Sequence, residues 1–218
     1  MNEKCVVYLV EDDPILSRAL ARLLQVEGLA VQAFLSAEEF LLAHEPSRPG
    51  CAVIDVRLPQ RDGLAVQQAL LAAGGERAVV LMSGYDDVAA GVNAMKAGAL
   101  DFLVKPFEDE VFLAAVRCAL EADRKARLVR DQLQSVRGRL ATLTPREHQV
   151  LEHVVVGRLN KQIAADLGIT EKTIKVHRAR AMEKMGVGTL AELVRKTLEI
   201  EVGTVVGDGG LIDGRPVL

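Results

Sequence analysis

Residues 51–55 read Cys51-Ala52-Val53-Ile54-Asp55, an apolar run that delivers one carboxylate at its end. Two other stretches share the pattern. Val6 to Val10 runs into Glu11-Asp12-Asp13, and Phe102-Leu103-Val104 runs into Lys105-Pro106. Short, nearly unbroken apolar runs are expected of strands buried on both faces of a parallel sheet. Such a sheet gathers the carboxyl ends of its strands at one edge, so these acids and the lysine are expected to meet there. Carboxylate oxygens grouped in that way suit a hard divalent cation, and a lysine beside them suits a phosphoryl group.

Outward from these runs, residues 1–120 alternate strand and helix patterns. Strands are expected at 5–10, 30–35, 51–56, 78–83 and 101–104, and helices at 14–27, 37–44, 64–73, 87–97 and 109–122. Gly28, Gly74-Gly75 and Gly98 punctuate the helix ends, and Pro14 suits a first helical turn. Five β-α units give an α/β, doubly wound, five-stranded parallel sheet. From Glu121 the pattern becomes a long charged helix. Its residues Val129, Leu133, Val136, Leu140 and Leu143 make a heptad seam, which serves either a two-stranded coil or an amphipathic helix lying on its own domains. Thr144-Pro145 with Glu147 reads as an N-cap, a first-turn proline and a capping box. Helices are then expected at 160–167, 170–185 and 189–199, separated by Gly157, Gly168 and Gly186. The expected organisation is an α/β domain over 1–122, a linker helix over 123–143, an all-α four-helix helix-turn-helix domain over 144–200, and a glycine-rich flexible tail over 201–218.

Composition narrows the function class. Half of the 218 residues are apolar but only 3% are aromatic, with no Trp, so the cores are aliphatic. The net charge of -3 hides an asymmetry: residues 1–120 carry 10 Lys/Arg against 17 Asp/Glu, a balance of -7, and residues 121–199 carry 16 against 10, a balance of +6. An acidic front and a basic back imply different partners for each. Cys5, Cys51 and Cys118 lie in apolar segments without metal-ligand spacing and read as buried, reduced thiols of a cytoplasmic protein. The first apolar run is too short for a secretory leader and ends in three acids, and no stretch approaches the roughly 20 apolar residues needed to span a membrane.

Phosphoryl transfer to a carboxylate needs a nucleophile, a metal that neutralises phosphate oxygens and a fixed cation. Asp55 is the candidate nucleophile, Asp12 a direct Mg²⁺ ligand, Glu11 a ligand directly or through water, Lys105 the partner of the phosphoryl group, and Ser83 a hydroxyl donor to it. An Asp at a strand end is usually a loop cap and Lys-Pro usually a turn; the joint placement of all of them is what points to a site. In the basic half, a short helix, the turn Gly168-Ile169 and the helix 170–185 make a helix-turn-helix arrangement. Lys172, Lys175, Val176 and Ala179 share one face of that helix and suit a major groove, while Ile174, Ala181 and Met185 face inward. Arg178 and Arg180 flank the reading face. With few aromatics for base stacking, duplex DNA is favoured over single strands.

Residues 4–120 closely resemble the receiver domains of two-component response regulators. The resemblance is carried by Val10-Glu11-Asp12-Asp13-Pro14, Asp55-Val56-Arg57-Leu58-Pro59 with Asp62-Gly63, Ser83-Gly84, and Ala97-Gly98-Ala99 running into Asp101-Phe102-Leu103-Val104-Lys105-Pro106-Phe107. It implies that Asp55 accepts phosphate from a histidine kinase, that Mg²⁺ is held by Glu11, Asp12, Asp55 and the backbone carbonyl of Arg57, that Ser83 and Phe102 form the switch, and that Arg57 and Tyr85 tune phosphate lifetime. Glu11 stands where the family often has Asp, and Phe102 where it often has Tyr. Residues 142–199 resemble the LuxR-type domain of the NarL/FixJ class, on Leu143-Thr144-Pro145-Arg146-Glu147, Asn160-Lys161-Gln162-Ile163-Ala164, Leu167-Gly168-Ile169 and Thr173-Ile174-Lys175-Val176-His177. That resemblance adds Lys161 and Thr173 to the DNA contacts and 189–199 as a dimerisation helix. Together they imply a phosphorylation-dependent homodimer, with Val92 and Lys96 as candidate interface residues, that binds promoter DNA and engages RNA polymerase, as an activator by family habit. The chain is then a phosphoacceptor regulator and not an enzyme with an external substrate. Two competing readings, a phosphate-independent interaction module and a phosphatase, fit less well: the pocket is nearly complete, and no second general acid stands beside Asp55.

Overall fold

A computed structural model describes residues 5–59, 61–72, 77–84 and 88–196, with the backbone alone for 88–90. The chain divides into two compact units, Met1–Leu128 and Val129–Leu218.

In the first unit, β1 (Val6–Val10), β2 (Ala30–Phe34), β3 (Gly50–Asp55), β4 (Ala78–Gly84) and β5 (Asp101–Lys105) form one parallel sheet in the order β2-β1-β3-β4-β5. The helices between them are α1 (Pro14–Val26), α2 (Ala37–Ala43), α3 (Gly63–Ala72) and α4 (Val88–Lys96), and α5 (Asp109–Leu140) follows β5. Successive residues of a strand point to opposite faces, and each face has its own core. Val6, Tyr8, Val10, Ile54 and Leu81 pack with Phe40 of α2 and Val66 and Leu70 of α3. Val7, Leu9, Val53, Val80 and Met82 pack with Leu20 and Leu24 of α1 and Phe112 and Val116 of α5. The chain leaves β1 in one direction for β2 and crosses back to β3, so the winding reverses between β1 and β3. In open parallel sheets the carboxyl ends of the strands at such a reversal leave a crevice where ligands bind.

The opposite edge is closed by an ionic network that the sequence did not announce. Asp123 of α5 is buried; its Oδ2 accepts the Gly50 N–H at 2.9 Å and the Arg127 Nε–H at 2.8 Å. Arg127 also donates to the carbonyls of Pro46, Ser47 and Arg48. Buried Arg77 donates to His44 Nε2 at 2.7 Å and to the Glu45 and Arg48 carbonyls, and its guanidinium lies over the Tyr8 ring.

In the second unit, the last turns of α5 pack with α6 (Pro145–Val155), α7 (Asn160–Leu167), α8 (Glu171–Met185) and helical residues 190–196. Val136, Val150, Leu151, Val154, Ile163, Ile174, Ala181, Met185 and Leu193 form the core. The expected capping box is present: Thr144 Oγ1 accepts the Glu147 N–H, and Glu147 Oε2 accepts the Thr144 N–H. Lys184 of α8 donates to the same carboxylate at 2.6 Å, and this bond with those of Thr144 holds the Glu147 pKa down to about 2. Gly168, at φ 66°, ends α7 in the left-handed conformation and makes the tight turn into α8.

Two expectations change, and the heptad seam follows one of its two alternatives, packing on its own domain. No new helix begins at Glu121, because α5 runs unbroken to Leu140. Of the heptad seam, Val136, Leu140 and Leu143 turn into the core of the second unit, whereas Val129 is exposed. Of the cysteines only Cys51 is buried; Cys5 and Cys118 are exposed, and all three are free. The expected tail over 201–218 and the end of the last expected helix, 197–199, lie outside the described residues.

His44 supplies a pH dependence. Burial, then the neighbouring charges of Arg77 and Arg127, push its imidazole down to about 4 from an ordinary 6.5. The neutral ring accepts the Arg77 proton; a protonated ring would face two guanidiniums. The unfolded chain therefore takes up this proton at higher pH than the folded chain. His44's contribution is complete above pH 6.5 and is lost as pH falls toward 4, amounting to about 1–2 kcal/mol after allowance for partial exposure. The unfolding midpoint of the full chain's receiver transition is expected to fall across that window, and more steeply than in His44→Gln. Equal slopes for the two proteins would refute the assignment.

Candidate functional site

Glu11 is the first residue past β1; its N–H donates to the Phe34 carbonyl and its side chain is buried at the crevice. Asp12 follows it, half-buried. Asp13 is used differently: its Oδ1 accepts the Ile15 N–H at 2.8 Å and N-caps α1. Asp55, the last residue of β3, is 6% exposed. One carboxylate oxygen from each of Glu11, Asp12 and Asp55 lies within 4.8 Å of the others.

Lys105, at the end of β5, reaches into this cluster. Its Nζ donates to Glu11 Oε2 at 2.7 Å and, in a close ion pair, to Asp55 Oδ2. Burial alone would lower the lysine pKa, but these two bonds outweigh it and hold the ammonium above its ordinary value. Burial raises Glu11, with the Asp55 charge adding and Lys105 opposing. Asp55 Oδ1 accepts the Arg57 N–H at 2.7 Å. One carboxylate oxygen thus orients on backbone and the other on a cation. Three carboxylates against one ammonium leave two formal negative charges on hard oxygen donors, a set that fits a divalent cation.

Ser83 is buried within β4, next to Met82, which pairs with Asp55 in the sheet register. Phe102 of β5 is half-buried and lies against α4, where a Cβ on Gly91 would stand 3.1 Å from its ring. Arg57 is exposed. Tyr85 lies outside the described residues. Gly63 gained no role from the sequence, yet a Cβ there would sit 2.3 Å from the Asp55 carbonyl oxygen. Its N–H also donates to the Val56 carbonyl at 2.9 Å. The Asp62-Gly63 pair was the available signal: Asp62 caps the Leu64 N–H, and Gly63 lets α3 start against the backbone that carries Asp55.

On α8, Ile174, Ala181 and Met185 are buried as expected. Lys172, Lys175, Val176, Ala179 and Arg180 are exposed, as is Lys161 on α7. Thr173 is half-buried, its hydroxyl 2.9 Å from that of Thr170, the N-cap of α8. Arg178 is half-buried and donates to Asn160 Oδ1 at 3.3 Å, so it tethers α7 to α8. No described helix is long and apolar enough to cross a membrane.

Residues 7–117 match the family model of the response regulator receiver domain, and residues 141–197 that of bacterial regulatory proteins of the luxR family. The transcriptional regulatory protein FixJ of Azorhizobium caulinodans is 45% identical over 91% of this chain and 94% of its own length. Nodulation protein W of Bradyrhizobium diazoefficiens is 42% identical over 89% of this chain and 86% of its own. Among solved structures, response regulator StyR is 38% identical with a TM-score of 0.83, covering 90% of this chain and 99% of that one. Full-length FixJ from B. japonicum is 37% identical with a TM-score of 0.57, covering 92% and 99%. Carboxylates gathered at the strand ends of a five-stranded parallel sheet, followed by a basic helix-turn-helix, agree with both family matches, and the chain belongs to the response regulators: it is a two-component transcription factor that joins a receiver domain to a LuxR-type DNA-binding domain.

Proposed function

We propose that Asp55 is the phosphoryl acceptor and that its modification by a sensor histidine kinase controls promoter binding through α8. The observation that carries this reading is the Lys105 ammonium bonded at once to Asp55 and Glu11 inside a carboxylate cluster. An Asp55 oxygen attacks the phosphorus of the phosphohistidine, the P–N bond breaks, and an acyl phosphate forms. Glu11, Asp12, Asp55 and the Arg57 carbonyl would hold Mg²⁺, which when bound neutralises phosphate oxygens. Lys105 exchanges the Asp55 carboxylate for a phosphate oxygen, and Ser83 donates its hydroxyl to another.

That movement draws Phe102 and reshapes the face of α4, β5 and α5. Val92 and Met95 of α4, Val104 of β5 and Val111 of α5 are all exposed, an apolar supply suited to homodimerisation. Lys96, also exposed on α4, is a candidate polar contact at its rim. Two copies then set two α8 helices on two half-sites, and the linked binding raises affinity. Lys172, Lys175, Val176 and Ala179 read base edges; Lys161 and Arg180 reach phosphates, with Arg178 and Thr173 beside them. The bound dimer engages RNA polymerase in the cytoplasm, as an activator. Arg57 and Tyr85 shield the acyl phosphate from water.

Treatment with acetyl phosphate and Mg²⁺ is expected to add one phosphoryl mass to the wild-type chain and none to Asp55→Asn; an equal gain in both would sink the acceptor assignment. Arg57→Asn is expected to shorten the acyl-phosphate lifetime, read as faster loss of label; an unchanged decay would remove its shielding role. Lys175→Ala is expected to weaken binding to a duplex selected by the wild-type chain from a random library by about 1–3 kcal/mol. Wild-type affinity in that variant would move the reading face off α8.

A further inference from the structure

The carboxyl end of α8 is held from three sides, and none of these contacts belongs to the reading face. A helix leaves its last carbonyls unpaired and carries partial negative charge at that end. Arg139, in the last turn of α5, donates from Nη1 to the Met185 carbonyl at 2.9 Å. Lys196 donates to the Gly186 carbonyl at 3.3 Å. Lys184 of α8 itself donates to the Thr142 carbonyl at 3.0 Å and to Glu147 at 2.6 Å.

Gly186 has two reasons to be glycine. Its φ is +62°, and a Cβ on it would lie 2.2 Å from Arg139 Nη1. The residue supplies the left-handed turn and also the seat for the guanidinium. The buried residues Ile174, Ala181 and Met185 fix the rotation of α8 about its axis. A core of aliphatic side chains fixes its tilt less sharply, because such contacts lack direction, whereas a hydrogen bond at one end does not.

We propose that Arg139 is a positioning residue for DNA recognition: from the interdomain helix it fixes the carboxyl end of α8 and so the angle at which Lys172, Lys175, Val176 and Ala179 meet the bases. This rests on α8 being the reading helix. Met185 lies six residues beyond Ala179, about 9 Å along the axis at 1.5 Å per residue, so Arg139 acts through α8 and not by touching the read bases. Base readout depends on that angle, while phosphate contacts tolerate its change and carry non-specific affinity.

The test uses the full chain, phosphorylated with acetyl phosphate, on two probes: the library-selected duplex and poly(dI–dC). Arg139→Ala is expected to weaken the selected duplex about tenfold, the cost of one charge-assisted hydrogen bond. It should leave poly(dI–dC) binding and its salt slope within about twofold of wild type. Arg139→Lys, which keeps a cation in reach of the carbonyl, should recover most of the loss. If Arg139→Ala does not fold, Arg139→Met, which keeps much of the side-chain length but has no donor, must show the same selective loss. Wild-type affinity for the selected duplex overturns the proposal. So does equal weakening on both probes, which marks general destabilisation or, with a shallower salt slope, direct phosphate contact. Lack of recovery with Lys also overturns it. Lys175→Ala in parallel separates the premise from the proposal: if it leaves the selected duplex unaffected, α8 is not the reading helix, and if it weakens binding while Arg139→Ala does not, only the role of Arg139 falls.

Discussion

Three carboxylates drawn within 4.8 Å of one another repel, and Lys105 is the cation that lets the strand ends keep them there. At an effective dielectric near 20, each like-charge pair at that spacing costs about 3–4 kcal/mol. The sheet must therefore place an ammonium among the acids with little freedom. It does so by register. β3, β4 and β5 are adjacent and parallel, Asp55 pairs with Met82, and Gly84 pairs with Lys105. The lysine side chain spans the remaining distance across one intervening strand. One lysine satisfies two carboxylates, and the residual negative charge is what makes the crevice a place for a divalent cation and a phosphoryl group.

Most of this was legible in the sequence because each component ends an apolar run, and a buried parallel strand has little other way to be written. Asp55, Glu11, Asp12 and Lys105 follow from chain punctuation. The same punctuation does not say which acid serves the backbone instead. Asp13 looks equivalent to its two neighbours, yet it caps α1, because the residue before a first-turn proline is an N-cap position. Gly63 was visible only as half of a pair. Its reason is a close approach to the Asp55 carbonyl, and close approaches between segments leave no local periodicity.

The continuity of α5 was hidden for a different reason. At Glu121 the composition changes from apolar to charged, which reads as the start of a new element. Helix formation answers to backbone hydrogen bonding, however, and neither Gly nor Pro occurs from Asp109 to Arg137. The change in composition marks a change in what the helix packs against. Phe112 and Val116 belong to the receiver core, and Val136 belongs to the core of the second unit.

The matched families stop at residue 117 and resume at 141, yet the residues between them are not a spacer in any energetic sense. Asp123 and Arg127 tie the loop over 46–48 and the start of β3, and would be lost to a receiver cut at the family boundary. Val136 fills the second core and Arg139 caps α8, and both would be lost to a DNA-binding domain begun at 141. A buried Asp123 without Arg127, or an α8 end without its cation, leaves polar groups desolvated and unpaired, which costs more than a lost surface contact. Contacts with the first unit reach at least to Arg127, and contacts with the second core are in place at Val136. The interval between the two domain matches is therefore taken up at both of its ends by contacts that each unit needs.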